Sequence, residues 1–132
     1  MGRRRVLYIV GVVLSLALAA PAYAAYSVRI EGATVPEGES DVLQIDVSFA
    51  CDAGSEPTVE ITAEDQDTSA HGRSTPQWRA PESCDGQMHP AVANVRDESG
   101  GKFRKGDRIK VTVSLTGNQG QSARDDREVT AG

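Results

Sequence analysis

The clearest pattern along the chain is a strict alternation of apolar and polar residues between Val42 and Cys51. The apolar residues occupy every second position: Leu43, Ile45, Val47, Phe49 and Cys51. The positions between them hold polar or small residues: Gln44, Asp46, Ser48 and Ala50. Successive side chains of a β-strand point to opposite faces of its sheet, so this alternation predicts a half-buried strand. Because the apolar face ends in a cysteine, we expect the core and a covalent cross-link to meet at this point.

Similar alternation predicts further short strands at Tyr26–Ile30, Thr58–Asp65, Arg108–Thr116 and, less regularly, Arg124–Thr130. Gly32 interrupts the first of these patterns, which predicts a kinked edge strand. No stretch after the amino-terminal segment has a helical period. The spacing of strands and turn residues therefore predicts an all-β fold, an antiparallel immunoglobulin-like β-sandwich of six to seven strands.

Two segments have weaker patterns. Residues 66–76 are polar and contain glycine and proline, which predicts a long loop, followed by a short strand around Gln77–Ala80. From Gln87 to Arg96 two strand phases are open. One phase buries His89, Ala91, Ala93 and Val95, and the other buries Met88, Pro90, Val92 and Asn94. Pro90 lacks an N–H group, which favours an edge strand, a bulge or the start of a strand.

The amino terminus has the features of a secretory signal peptide. Three consecutive arginines precede an uncharged apolar run from Val6 to Ala20, and a small-x-small motif ends at Ala24. This order is typical of a cleavable signal, and the apolar run is too short for a stable membrane span. We therefore expect a signal peptide at residues 1–24 and one domain at residues 25–132. The mature protein is expected to be secreted, monomeric and free of the membrane.

The charge of the chain argues against one class of partner. All 19 acidic residues follow Ala24, whereas three of the 14 basic residues precede it, so the net charge of −5 becomes −8 after cleavage. Proteins that bind nucleic acid need a basic face that displaces counterions. We therefore expect no nucleic-acid partner.

The chain has two cysteines, Cys51 and Cys84. In an oxidising compartment two cysteines most simply form one disulfide. Neither has a second cysteine or a histidine at the spacing of metal ligands. The sequence therefore predicts a Cys51–Cys84 bridge.

Two motifs resemble a known family. Residues Cys84–His89 read C-D-G-x-x-H, and Phe103–Leu115 read F-R-K-G-D-x-I-x-V-x-V-x-L. With the strand that ends in Cys51, these motifs resemble small secreted immunoglobulin-like domains of actinobacteria, over roughly Leu43–Leu115. The resemblance implies a sandwich with the two cysteines bridged, and it favours the phase that turns His89 inward. It implies no activity, because these domains largely lack known function. Ala91, Ala93 and Pro90 depart from the family pattern.

No residue pattern points to catalysis, and the sequence predicts no enzyme and no cofactor. The two histidines, His71 and His89, belong to different elements, and no G-x-S-x-G motif marks a nucleophile. We interpret His89 as a partly buried structural residue and His71 as a solvated loop residue. An enzyme centred on His89 and nearby acids is the more distant alternative.

The acidic run Glu64–Asp67 raises the question of a metal site. Carboxylates are calcium ligands, and Asp65 and Asp67 with a neighbouring loop residue such as Asp52 form one candidate set. The run fails the EF-hand template because Ala70 stands where glycine is needed and Pro76 where glutamate is needed. The sequence therefore favours a solvated strand end and no metal.

Four residues are candidates for ligand contact: Trp78, Lys102, Arg104 and Lys105. An exposed tryptophan would suit recognition, although a core that is poor in aromatic rings favours a buried or half-buried Trp78. The leading hypothesis is a secreted non-catalytic module that binds a protein, a cell-wall polymer or another extracellular ligand. The alternative is an inhibitor or effector of a secreted hydrolase that presents the 66–76 loop.

Overall fold

The computed structural model describes residues 26–76 and 84–132, which form nine β-strands and a 3-10 turn at Pro36–Gly38. The strands are β1 (Ser27–Thr34), β2 (Glu39–Ser40), β3 (Val42–Ala50), β4 (Thr58–Asp65), β5 (His71–Ser74), β6 (His89–Arg96), β7 (Phe103–Arg104), β8 (Arg108–Thr116) and β9 (Ser122–Thr130). The predicted signal peptide, the predicted strand at Gln77–Ala80 and Trp78 within it lie outside the described residues.

The strands form two main antiparallel sheets and one small one. The first sheet has the order β1-β3-β6, the second has the order β5-β4-β8-β9, and β2 pairs with β7 alone. This arrangement confirms the predicted immunoglobulin-like β-sandwich. Seven strands of four or more residues build the two main sheets, in line with the predicted six to seven. The two-residue strands β2 and β7 are additional, and they are too short for alternation to reveal.

The core lies between the two main sheets and is filled by the alternate residues of their strands. The largest fully buried side chains are Phe49, Phe103, Ile30, Leu43, Ile45, Ile61, Ile109, Leu115, Val47, Val95, Val111 and Val113. The strands predicted at Val42–Cys51, Thr58–Asp65 and Arg108–Thr116 are confirmed with their predicted apolar faces, the first as Val42–Ala50. Asp65, predicted at a solvated strand end, is instead buried. Burial of such side chains is the main stabilising contribution to a fold of this kind.

The predicted disulfide joins Cys51 to Cys84 and connects two neighbouring strands of one sheet. Cys51 directly follows β3, and Cys84 lies shortly before β6, which pairs with β3. The backbone N–H of Gly86 donates a hydrogen bond to the carbonyl oxygen of Cys51 (2.9 Å), beside the bridge. Gly86 has a φ of 81°, a left-handed conformation that glycine adopts without strain, which explains the glycine of the C-D-G motif.

The strand β6 uses the phase that turns His89 inward. Ala93 and Val95 are buried, and His89 and Ala91 are half-buried, whereas the residues between them are exposed. Ala93 belongs to the same buried cluster as the larger apolar residues of β4 and β8, and Ala91 packs against that cluster. Pro90 is exposed and, among the described strands, lies on an edge of its sheet, where a missing N–H is tolerated.

The prediction that residues 66–76 form a long loop is wrong. The segment contains β5, which pairs with β4, and Ala70 before it is fully buried. The polar composition hid this strand, and Gly72 is required there because β5 lies against the end of β6. A Cβ atom at position 72 would collide with the carbonyl oxygen of Arg96.

The kink predicted at Gly32 is confirmed. The register of β1 against β3 shifts between Ile30 and Gly32. Next to this bulge, the carboxylate of Asp125 in β9 accepts a hydrogen bond from the backbone N–H of Ile30 (2.8 Å). The bond covers part of the β1 edge, which would otherwise be open to pairing with another chain.

Candidate functional site

The outer face of the four-stranded sheet carries two rows of polar side chains that cross the strands. From β5 to β9, the first row consists of His71, Glu64, Lys110 and Glu128. The second row consists of Arg73, Thr62, Thr112 and Asp126. Residues directly opposite each other in paired strands share a face, so the eight side chains form one surface. Acidic and basic groups alternate along the first row.

A shallow groove of about 500 Å³ lies at the β5 end of these rows. Glu64, Lys110 and Arg73 line it from the sheet, and Glu98 lines it from the turn between β6 and β7. Two hydrogen bonds, one of them between backbone groups, hold that turn against β5. The Glu98 N–H donates to the carbonyl oxygen of His71 (2.8 Å), and the Glu98 carboxylate accepts from the N–H of Arg73 (3.1 Å). The groove therefore presents charges of both signs on a fixed backbone.

Asp97 fixes the same turn. Its carboxylate accepts hydrogen bonds from the backbone N–H of His71 (3.0 Å) and from the hydroxyl of Ser99 (2.7 Å). Burial of Asp97 opposes its ionisation, but the Ser99 hydroxyl and the backbone amides of His71, Ser99 and Gly100 outweigh it and lower the pKa of Asp97 to about 2.

The pH dependence of the free energy of unfolding should reveal the contribution of the hydrogen bonds to Asp97. Because the folded-state pKa of Asp97 lies below its usual value, its carboxylate stabilises the fold above about pH 4, and this contribution is lost as the pH falls toward 2. We expect Asp97→Asn to lower the free energy of unfolding by about 1–2 kcal/mol at pH 7 and by much less near pH 2, as measured by urea unfolding. Ser99→Ala, which removes one donor, should give a smaller difference. Parallel pH profiles for the wild type and Asp97→Asn would contradict this assignment.

Three aspartates meet where β4 ends and β8 begins. Asp65 is the last residue of β4, Asp67 lies in the turn that follows, and Asp107 directly precedes β8. One carboxylate oxygen from each lies within 4.8 Å of the others. The antiparallel pairing of Asp65 with Ile109 causes this approach, because it brings the start of β8 beside the end of β4.

The three carboxylates differ in their hydrogen-bond partners. Asp65 Oδ1 accepts from the backbone N–H groups of Asp67 (2.8 Å) and Thr68 (3.0 Å). Asp67 accepts from the side chain and the backbone N–H of Arg108, at 2.9 Å each. Asp65 Oδ2 and Asp107 Oδ2 are buried and accept no hydrogen bond from the described residues. Burial raises the pKa of Asp107 to about 6, together with a hydrogen bond that the protonated Asp107 carboxyl makes to Asp65 and with the negative charges of Asp65 and Asp67.

From the sequence, Asp52 is a candidate third member of this cluster. In the structure the third carboxylate belongs to Asp107. Asp52 precedes β4 and Asp65 ends it, so the two lie at opposite ends of a strand that rises roughly 23 Å. The pairing of two predicted strands, β4 with β8, is the signal that would have identified Asp107.

The predicted ligand contacts Lys102, Arg104 and Lys105 lie around β7 and are exposed. Arg104 forms an ion pair with Glu39 of β2 (3.2 Å). Phe103, which stands among these cations in the sequence, is fully buried. None of the three cations lines the groove. Trp78, the fourth predicted contact, lies outside the described residues.

The two histidines lie in different surroundings. His71 is exposed in the first row of the outer face, and its Nδ1 lies 3.0 Å from the carbonyl oxygen of Ser69. His89 is half-buried, and its Nε2 lies 2.8 Å from Asp85 Oδ1, which also accepts from the N–H of Gln87 (2.9 Å). The C-D-G-x-x-H motif thus forms a hydrogen-bonded turn into β6, which fits a structural histidine.

Comparison with known proteins finds no family model and no curated protein that matches the chain. Among residues 26–76 and 84–132, no helix is long and apolar enough to cross a membrane.

Proposed function

We propose that this protein is a secreted, non-catalytic immunoglobulin-like module that binds an extracellular protein through the outer face of its four-stranded sheet. The observation that carries the proposal is the groove lined by Glu64, Lys110, Arg73 and Glu98. Protein interfaces gain specificity when charges of one partner meet opposite charges of the other. A surface that presents both signs at fixed positions suits a protein partner with its own alternating charges better than a uniformly charged polymer.

Two observations support secretion. Residues 1–24 have the sequence pattern of a signal peptide. The Cys51–Cys84 bridge belongs to a class of cross-link that persists in oxidising compartments and is rare in the cytosol.

The alternative role, an inhibitor or effector of a secreted hydrolase that presents residues 66–76, has less support. Inhibitory loops project from their scaffold in a preorganised conformation. Here the segment packs along the sandwich, because Ala70 is fully buried and β5 pairs with β4. The Thr68 hydroxyl also donates to the carbonyl oxygen of Lys102 (3.0 Å). We therefore place this role second.

Charge reversal in the groove tests the proposal. The purified protein is used to capture partners from the medium in which its source cells grow, and the affinity for the captured partner is then measured by calorimetry. We expect Lys110→Glu to weaken binding about tenfold or more, which corresponds to a loss of about 1.4 kcal/mol or more. Lys105→Glu is the matched control, because Lys105 is also exposed but lies outside the groove.

The possible outcomes distinguish the groove from the basic residues around β7, and a protein partner from a polysaccharide or a hydrolase. Equal binding by the wild type and Lys110→Glu would contradict the groove, and a loss only in Lys105→Glu would move the contact to the basic residues around β7. Binding only to cell-wall polysaccharide would replace the protein partner with a polymer. Inhibition of a secreted hydrolase at micromolar concentration would favour the alternative role.

A further inference from the structure

The oxygen atoms of Asp65, Asp67 and Asp107 are spaced as the ligands of a single ion. One oxygen from each residue lies within 4.8 Å of the others. Calcium contacts oxygen at about 2.3–2.6 Å, so oxygens on opposite sides of one calcium ion lie about 4.6–5.2 Å apart. The three carboxylates can therefore contact a common ion with little movement.

Two buried oxygens in this cluster have no donor among the described residues. Asp65 is 3% exposed, and when both carboxyl groups are ionised Asp65 Oδ2 and Asp107 Oδ2 are buried and accept no hydrogen bond from a described residue. A buried charged oxygen without a partner is costly, since it has lost its hydration. The amides of Asp67 and Thr68 hold Asp65 Oδ1 and so fix the orientation of this carboxylate. A cation between Asp65 and Asp107 would satisfy both free oxygens at once.

The charge of the surroundings matches a divalent ion. Arg108 forms an ion pair with Asp67 (2.9 Å) and offsets its charge. Arg104, the other nearby cation, forms an ion pair with Glu39. Neither Asp65 nor Asp107 forms an ion pair with a described residue, although the charge of Arg104 partly offsets that of Asp107. When both are ionised they carry two negative charges, which is the charge that one divalent cation neutralises.

We propose that Asp65, Asp67 and Asp107 form a binding site for a divalent cation, and that the preferred ion is calcium. Carboxylate oxygens are hard ligands, and calcium accepts irregular arrangements of them, whereas magnesium demands a near-ideal octahedron at shorter distances. Affinities of about 10⁻⁴–10⁻³ M are typical of extracellular calcium modules. The ion would join the end of β4 to the start of β8, so it would stabilise the sandwich. This site is separate from the groove and does not depend on the proposed binding role.

Thermal unfolding and calorimetry test the site. The full chain is purified, stripped with EDTA and heated at pH 7.5 in EDTA, in about 10 mM CaCl₂ and in about 10 mM MgCl₂. We expect calcium to raise the unfolding midpoint of the wild type by about 5–15 °C. Calorimetric titration with CaCl₂ should show one site with a dissociation constant of about 10⁻⁴–10⁻³ M.

Two variants separate ligation from folding and from general charge effects. Asp107→Asn replaces an anionic ligand with a neutral carbonyl oxygen and removes a buried like charge, so it should be at least as stable as the wild type in EDTA and lose most of the response to calcium. Glu60→Gln is the matched control, because Glu60 is an exposed carboxylate on β4 outside the cluster, and it should respond like the wild type. No midpoint shift in the wild type, an equal shift in Asp107→Asn, or an equal response to magnesium would overturn the calcium site.

Discussion

Removal of the disulfide in the variant C51A/C84A is expected to lower the free energy of unfolding by roughly 3–4 kcal/mol. The bridge closes a loop between residues 33 positions apart. This closure lowers the conformational entropy of the unfolded chain, so less entropy is lost on folding. The loop contains β4 and β5, which belong to the opposite sheet, so the bridge limits how far two strands of the second sheet can move away from the first. Both cysteines are buried, so alanine adds no polar group to the core. The thermal midpoint should fall by roughly 12–25 °C, as measured by circular dichroism.

The wild type under reducing conditions is the control for this variant. Complete reduction should bring the wild-type midpoint close to that of C51A/C84A, and reductant should leave the variant unchanged. A variant with the same midpoint as the oxidised wild type would contradict the proposed contribution. The comparison separates the effect of the covalent bond from the effect of removing two sulfur atoms from the core.

Alternation located β3, β4 and β8 because each of these strands has one face in the core and the other toward solvent. The last strand was predicted at Arg124–Thr130 and spans Ser122–Thr130. Its pattern is weaker because Asp125 and Arg127 occupy core-facing positions, opposite Val113 and Val111. Among the described strands β9 lies on an edge of its sheet, and Asp125 there accepts a hydrogen bond from the backbone of β1 rather than packing in the core. An apolar pattern cannot reveal a position whose partner is a backbone amide on the opposite sheet.

The strand β5 and the candidate sites depend on tertiary contacts that no local pattern records. Gly72 is a turn signal in the sequence, but in the structure it allows β5 to lie against Arg96. The groove arises from the register that places Glu64 beside Lys110, and the acidic cluster arises from the approach of Asp107 to Asp65. The sequence placed Asp65 and Asp67 in one candidate set but favoured no metal, and the strand pairing brings Asp107 beside them. The alternation of apolar and polar residues therefore predicts the core well, whereas the sites can be predicted only once the strand pairing is known.

Replacement of the single buried aromatic residue of β7 should also have a large effect. We expect Phe103→Ala to lower the free energy of unfolding by about 3–5 kcal/mol, because Phe103 is fully buried in the main hydrophobic cluster and alanine would leave a cavity. Its neighbours Lys102, Arg104 and Lys105 are exposed, so this one side chain anchors the β2–β7 pair to the core. Urea unfolding monitored by circular dichroism measures the loss.

Phe103 also positions the turn that carries Asp107. A conservative variant of Phe103 and a variant of an exposed neighbour make the test of this role sharper. In this turn the N–H of Lys105 donates to Gly38 (2.8 Å) and that of Gly106 to Ala131 (2.8 Å), and the carbonyl of Asp107 accepts from Ala131 (2.9 Å). Phe103→Leu keeps most of the apolar volume and should cost less than about 1.5 kcal/mol. Lys105→Ala, an exposed neighbour, should change stability by no more than about 0.5 kcal/mol. If Phe103→Ala were no more destabilising than Lys105→Ala, the segment would be held by its backbone hydrogen bonds alone, and the aromatic anchor would have no energetic role.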